Sequence, residues 1–334
     1  MTVQGRILHL QRLSTEDGPG IRTTVFFKSC PLRCAWCHNP ESLSSRTQTQ
    51  WYAVRCLGCR TCIAACPNGC LAMTDDGLVI DREHCQACGT CAEACPSGAL
   101  EALGRTVTAD EVLAELLKDR AFYEKSGGGV TLSGGEPTFQ PDFAEALLRG
   151  LKAQGISAAL DTCGLCTAAT LDRLLPVTDL VLFDLKLFDP DLHRKFTGVS
   201  NRQILDNLLH LRDAIRRQDH PIDLWIRTPL IPGATASEAN LSAIGRFLAD
   251  TMDGRVSRWE LCAFNNLCRD QYTRLGLEWA YAQTPLMTAG ELAHWEWVAR
   301  ASGLPPELVL ATGATRVVEP SESQAVSISS PLKC

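Results

Sequence analysis

Residues 28–37 read KSCPLRCAWC: Cys30, Cys34 and Cys37 fall at C-x3-C-x2-C spacing, with Trp36 just ahead of the last. Three soft ligands on one tight loop suit a metal centre, but a closed thiolate site takes four. The run IRTTVFF, immediately before Lys28, is β-branched and aromatic and reads as a strand. The cysteine loop therefore leaves the carboxyl end of a strand. The pattern of residues far downstream tells which sheet that strand belongs to.

From Thr108 onward, strand and helix patterns alternate. TADEVLAELL has Thr108 and Glu111 spaced as a capping box, with Val112, Leu113, Leu116 and Leu117 on one helical face. GGGVTLSGG, ISAALDT, DLVLFDLK, IDLWIRTPLIPG and VSRWELCAF read as strands. PDFAEALLRGLKAQG (closed by Gly155), TAATLDRLL, NRQILDNLLHLRDAIRR, ASEANLSAIGRFLAD and a last segment near 288–302 read as helices. Such alternation implies a parallel sheet with helices outside it. About six units are visible, fewer than the eight of a closed barrel, so a partial (βα)6 barrel is expected. In such folds the site lies at the carboxyl ends of the strands. Cys30, Ser133 to Glu136, Asp161 and Thr162, Asp184 and Lys186, Arg227 and Asn265 all fall at such ends.

The chain has 334 residues, 32 basic and 38 acidic, for a formal charge of −6, which argues against nucleic acid as the main partner. The N-terminus lacks a secretory apolar region and no apolar run is long enough to span a bilayer, so a soluble cytoplasmic protein with no membrane partner is expected. In that compartment 17 cysteines point to metal ligation before disulfides.

Residues 56–67, CLGCRTCIAACP, and 85–96, CQACGTCAEACP, repeat C-x2-C-x2-C-x3-C-P. This is the bacterial ferredoxin pattern, in which the fourth cysteine crosses to the other cluster. It assigns Cys56, Cys59, Cys62 and Cys95 to one 4Fe–4S cluster and Cys85, Cys88, Cys91 and Cys66 to a second. Zinc sites share the C-x2-C pair but do not account for two identical four-cysteine runs, each closed by proline. Such clusters could carry electrons or simply staple a small insert. Cys70, outside the pattern, is expected to be structural. The expected division is 1–50 and 104–316 for the barrel, 51–103 for the insert, and a loosely ordered tail at 317–334.

For the opening triad, a site closed by Cys163, Cys166, Cys262 or Cys268 is one reading. Another comes from resemblance. CPLRCAWCHNPE at 30–41 resembles the signature loop of the radical S-adenosylmethionine (SAM) enzymes. That resemblance implies a 4Fe–4S cluster on Cys30, Cys34 and Cys37 whose open iron binds the amino and carboxylate groups of SAM. Trp36, Cys37 and His38 would then lie along the cofactor. DGPGIRT at 17–23 resembles the N-terminal signature of the glycyl-radical-enzyme activating enzymes, the group that includes the pyruvate formate-lyase activator. SGGEP at 133–137, DTCG at 161–164, DLK at 184–186 and WIRTPLIPG at 225–233 resemble further motifs of that family. By this resemblance Gly134, Gly135 and Glu136 receive the methionine amino group and Asp161 lies by the methionine end. Asp184, Leu185 and Lys186 reach the nucleoside or carboxylate, and Arg227 points to the cofactor. Asp161, Thr162 and Asp184 are also a candidate monovalent-cation site. The chemistry agrees: carboxylates suit an ammonium, Lys and Arg suit a carboxylate or hydroxyls, and glycines permit close backbone approach.

One position departs from the family. LCAFNNLCRDQY at 261–272 places Asn265 where a histidine is usual, and Asn cannot carry a proton or charge there. The ferredoxin-like insert also separates this chain from the shortest members and favours a partner other than pyruvate formate-lyase. The implied activity is that of an oxidoreductase: reductive cleavage of SAM, then abstraction of hydrogen from a backbone glycine of a partner glycyl radical enzyme, with a flavodoxin or ferredoxin as electron donor. Asp17 and its turn would line the mouth that admits the glycine loop. The alternatives are a radical SAM enzyme acting on another substrate, or an iron–sulfur electron carrier.

Overall fold

The computed structural model describes residues 2–317, so all of the expected tail beyond Val317 lies outside the described residues. IRTTVFF forms β2 (Arg22–Phe27), preceded by an antiparallel β1 (Gln4–Ser14) that the sequence pattern does not reveal. A segment of short elements comes next: β3 (Gln48–Trp51), α1 (Thr61–Ala65), β4 (Leu71–Thr74), β5 (Gly77–Ile80), α2 (Thr90–Glu93) and β6 (Leu100–Leu103). β7 (Arg105–Thr108) returns to pair antiparallel with β1 and leads into α3 (Ala109–Leu116) and α4 (Arg120–Ser126). The expected capping box forms at Thr108 and Glu111.

The alternation then runs β8 (Gly129–Gly134), α5 (Pro141–Ala153), β9 (Ser157–Thr162), α6 (Ala168–Leu174), β10 (Leu180–Asp184), α7 (Pro190–Thr197) and α8 (Arg202–Arg216). It continues through β11 (Asp223–Leu230), α9 (Glu238–Thr251), β12 (Arg258–Ala263), α10 (Arg269–Leu275), α11 (Ala289–Arg300) and β13 (Val309–Thr312). The main sheet has nine strands in the order β13-β12-β11-β10-β9-β8-β2-β1-β7. Every pair from β2 to β13 is parallel, and the sheet is open, with β7 and β13 at its edges. The expected six parallel strands are all present; β13 adds a seventh, too short to show a pattern of its own.

Residue alternation along the strands separates two faces. Leu160 of β9 joins Phe143, Leu147 and Leu151 of α5 in one buried cluster, and Ile226 and Trp259 join Leu208 and Ile244 of the later helices in another. The opposite, concave face carries a small apolar group at its floor (Ala159, Leu180, Leu182 and Trp225). Asp161 stands level with Leu182 and Trp225, and Asp184, Arg227 and Glu260 stand level with one another two residues further along. Arg22 is fully buried, and donates to Thr131 Oγ1 and Val130 O, tying the amino ends of β2 and β8 together.

Between β2 and β7 the chain makes its own small unit. β3 and β6 form its neck, Trp51 opposite Leu100, and β4–β5 is a hairpin. Its buried core is thin: Cys62, Leu71, Leu78, Cys91 and Leu100, two of the five being cysteines. Among the described residues no helix is long and apolar enough to cross a membrane.

Candidate active site

The cysteine loop leaves β2 through Ser29, whose φ of 81° turns the chain sharply. Lys28 is buried there, with Nζ donating to Glu41 O (2.6 Å) and Gln48 Oε1 (3.2 Å). Burial lowers its pKa to about 8. Two elements clamp the loop. From the end of α7, Thr197 O and Phe196 O accept from Arg33 N and Ala35 N. From the α10 region, Tyr272 Oη donates to Cys37 O (2.9 Å) and Trp279 Nε1 to Ala35 O (3.1 Å). Trp36 is buried against Phe196, and the ring of His38 lies near Phe264 with its Nε2 buried and unpartnered.

β8 ends against this loop. Gly135 N donates to Phe27 O (2.9 Å) and Glu136 N to Ser29 O (2.7 Å). A Cβ on Gly135 would stand 2.3 Å from Ser29 O, and Gly134 sits at φ +97°. These glycines thus serve the approach of two backbones. The Glu136 carboxylate is itself engaged: it accepts from Thr138 N (3.0 Å), Thr138 Oγ1 (2.6 Å), Thr162 Oγ1 (2.8 Å) and Cys163 N (2.8 Å). Three of these fall on one oxygen, and the residue is 1% exposed, so it orders the loops after β8 and β9. Nothing in the motif SGGEP discloses that.

The DTCG turn brings Cys163 to Cys30. The nearness of the two thiols lowers the pKa of Cys30 and raises that of Cys163. Burial pushes Cys34 up to about 11, and raises Cys37 as well. Burial thus disfavours bare thiolates at Cys34 and Cys37. Cys268 meets Cys37 O, while Cys262 lies by Arg227 and Glu260.

The concave face below is polar. Asp161 accepts from Ser133 Oγ and lies 3.9 Å from Arg227. Burial, then Asp184, pushes Asp161 up to about 7, against the pull of Arg227. Lys186 pairs with Asp184 at 2.5 Å; burial disfavours its charge, but Asp184 and Cys34 outweigh that and raise its pKa. Arg227 NH2 donates to Glu16 O (3.3 Å), so the β1–β2 turn reaches this face, where Asp17 accepts from Ser14 and Thr24. Arg227 Nε is 3.1 Å from Glu260 Oε2, off hydrogen-bond alignment, so both buried atoms lack a partner.

Leu185 is buried in strand pairing: its N–H donates to Arg227 O and its carbonyl accepts from Thr228 Oγ1. Asn265 Oδ1 accepts from Leu267 N (3.2 Å), and the Asn265 backbone meets His38. Glu260, Tyr272 and Trp279 were not singled out in the sequence. For Glu260 the signal existed: in WELC it alternates with the core residues Trp259 and Leu261, which puts it on the polar face.

Residues 24–241 match the Radical SAM superfamily. The chain belongs to that superfamily. It is 37% identical over 279 residues to the (2S)-3-sulfopropanediol dehydratase activating enzyme of Klebsiella oxytoca, covering 82% of this chain and 86% of that protein. It is 40% identical over 270 residues to the trans-4-hydroxy-L-proline dehydratase activating enzyme of Clostridioides difficile, covering 80% and 87%. Within the superfamily it therefore belongs with the activating enzymes. The crystal structure of Streptococcus suis SuiB bound to precursor peptide SuiA aligns with 85% of this chain and 46% of that one (TM-score 0.50, 12% identity), a likeness of fold.

The radical SAM site fits its family's cofactors. The cations Lys186 and Arg227 alternate with the carboxylates Asp161, Asp184 and Glu260 beneath the cysteine loop. Buried His38 Nε2, without a hydrogen-bond partner, suits a polar ligand group. In residues 51–103, Cys56, Cys59, Cys62 and Cys95 line one small pocket. Burial raises Cys91, with Cys85, Cys66 and Cys88 adding to it, so those four are neighbours.

Proposed function

We infer that this radical SAM activating enzyme generates the glycyl radical of a partner glycyl radical enzyme. The observation that carries it is the cysteine loop standing over the Asp161–Asp184–Lys186–Arg227 array at the carboxyl ends of adjacent parallel strands. Cys30, Cys34 and Cys37 would hold the cluster. When bound, cluster and SAM supply the 5′-deoxyadenosyl radical that takes a hydrogen atom from the partner's backbone glycine. The chain's residues bind and orient. Lys186 and Arg227 offer charge to the carboxylate and ribose, Asp161 and Asp184 to the ammonium or a monovalent cation, and Trp36 and His38 border the nucleoside. Gly134, Gly135 and the braced Glu136 fix the turn on which the methionine end rests. Leu185 and Asn265 contribute through backbone placement.

Residues 51–103 are read as a ferredoxin-like insert with two further 4Fe–4S clusters, supported by the small pocket shared by Cys56, Cys59, Cys62 and Cys95 and the mutual proximity of Cys66, Cys85, Cys88 and Cys91. Relatives of similar identity activate dehydratases, an isethionate sulfite-lyase and a benzylsuccinate synthase, so the partner is a glycyl radical enzyme other than pyruvate formate-lyase, with a flavodoxin or ferredoxin as reductant. The test is anaerobic incubation of reduced enzyme with SAM and a candidate partner. 5′-Deoxyadenosine and a glycyl doublet in the partner's electron paramagnetic resonance (EPR) spectrum are expected. Absence of 5′-deoxyadenosine from protein with an intact first cluster would exclude an activase.

A further inference from the structure

We propose that the insert conducts in a fixed order: the half built on Cys66, Cys85, Cys88 and Cys91 is the inner relay to the Cys30–Cys34–Cys37 cluster, and the half built on Cys56, Cys59, Cys62 and Cys95 is the outer acceptor. This rests on reading both runs as 4Fe–4S ligands.

The two halves are not equally placed. Ala87, between Cys85 and Cys88, accepts through its carbonyl from Thr47 Oγ1 (3.4 Å). Ser45, Arg46 and Gln48, on either side of Thr47, wall the cleft that Cys30 also lines. Arg82, three residues before Cys85, donates to Thr49 O (3.0 Å) and to Arg274 O (2.6 Å). Arg274 lies in α10, the helix whose Tyr272 holds Cys37 O. Hydrogen bonds thus tie the second cysteine run to the segment that follows the Cys30–Cys37 loop and to α10, which holds Cys37. Among the described residues, the hydrogen bonds of residues 53–66 stay inside the insert, as with Arg55 to Gly98 O and Glu101. Val54 and Leu57 in that segment are 95% and 72% exposed.

The step balances with one external one-electron reductant. The donor loses one electron; the outer cluster goes from the 2+ to the 1+ state and returns as the inner is reduced; the inner returns as the third cluster is reduced. No proton moves and no bond forms or breaks along the relay.

The test is freeze-quench EPR of the full-length holoenzyme mixed with reduced flavodoxin, in the presence of SAM, whose binding marks the third cluster's signal. In wild type the three clusters should be reduced in the order outer, inner, third. With Cys85→Ala and Cys88→Ala together, the outer signal should appear at the wild-type rate and the fast phase of the third should be lost. Reduction of the third cluster at an unchanged rate in that variant, with outer and third clusters intact, would overturn the order. Arg82→Gln provides an arm that removes no ligand: all three clusters should remain and only the last transfer should slow. An unchanged last transfer there would likewise overturn the order. Iron for a single cluster in the wild type would overturn the cluster reading itself, a result distinct from either.

Discussion

The thiol of Cys163, just past the end of β9 and two strands from β2, comes near Cys30, which makes it the side chain to test as a fourth ligand. If the site is open for SAM, that thiol only donates a hydrogen bond to a ligating sulfur. Cys163→Ser keeps a donor and removes a good iron ligand, so iron content and 5′-deoxyadenosine formation should stay near wild type. Cys34→Ala should lose one cluster and all product. Loss of the first cluster in Cys163→Ser would instead close the site. Asp161 carries a second prediction. Its pKa is raised from 3.8 to about 7, so between those values the folded state keeps a proton that the unfolded state has released. Stability of the ligand-free protein should therefore fall as pH rises through that window and level off above it. Asp161→Asn should abolish this slope in pH-dependent thermal melts. A bound ammonium or monovalent cation favours the ionised form, so affinity should climb with pH toward about 7 and then flatten, as calorimetry can read.

At the scale of elements, the loop owes its shape to what presses on it. Gly135→Ala would set a methyl 2.3 Å from Ser29 O, backbone against backbone. A cost of about 4 kcal/mol or more is expected, with loss of the first cluster from whatever protein folds. Tyr272→Phe removes only the bond to Cys37 O. It should cost about 1 kcal/mol in chemical denaturation while leaving iron content unchanged. The core strands were legible because each ends in a polar motif after an apolar run. β1 was not: QGRILHLQRLS is largely exposed along its second half and carries no clean alternation. α10 was missed because seven residues following a cysteine-bearing loop show no helical period. Polar residues at strand ends stood out by their position after apolar runs, while their cofactor roles came from resemblance to the family's motifs. The saturation of Glu136 was hidden because its partners, Thr138, Thr162 and Cys163, come from two separate loops.

For the whole molecule, the question is whether the nine-stranded sheet and its helices need the small unit between β3 and β6 in order to fold. The neck answers in geometric terms. β3 and β6 pair from Gln48 with Leu103 to Trp51 with Leu100, so residues 52–99 could be exchanged for an Asn-Gly turn that closes the ladder as a hairpin. No residue of 52–99 belongs to the two large core clusters or to the aromatic cluster around Trp36. The bonds of Lys28 to Gln48 Oε1, Arg274 to Gln50 Oε1 and Tyr272 to Cys37 O all survive the exchange. Those of Arg82 to Thr49 O and Arg274 O are lost, along with the packing of Gly77 on Trp51. The shortened chain should fold, hold one cluster, and form 5′-deoxyadenosine when dithionite, which can reach the cleft beside Cys30, is the reductant. With reduced flavodoxin it should be much slower than the full chain, because the relay is gone. Equal rates with both reductants would show that the insert conducts nothing. A shortened chain that failed to assemble its cluster would make the insert part of the scaffold that holds α10 against the cysteine loop.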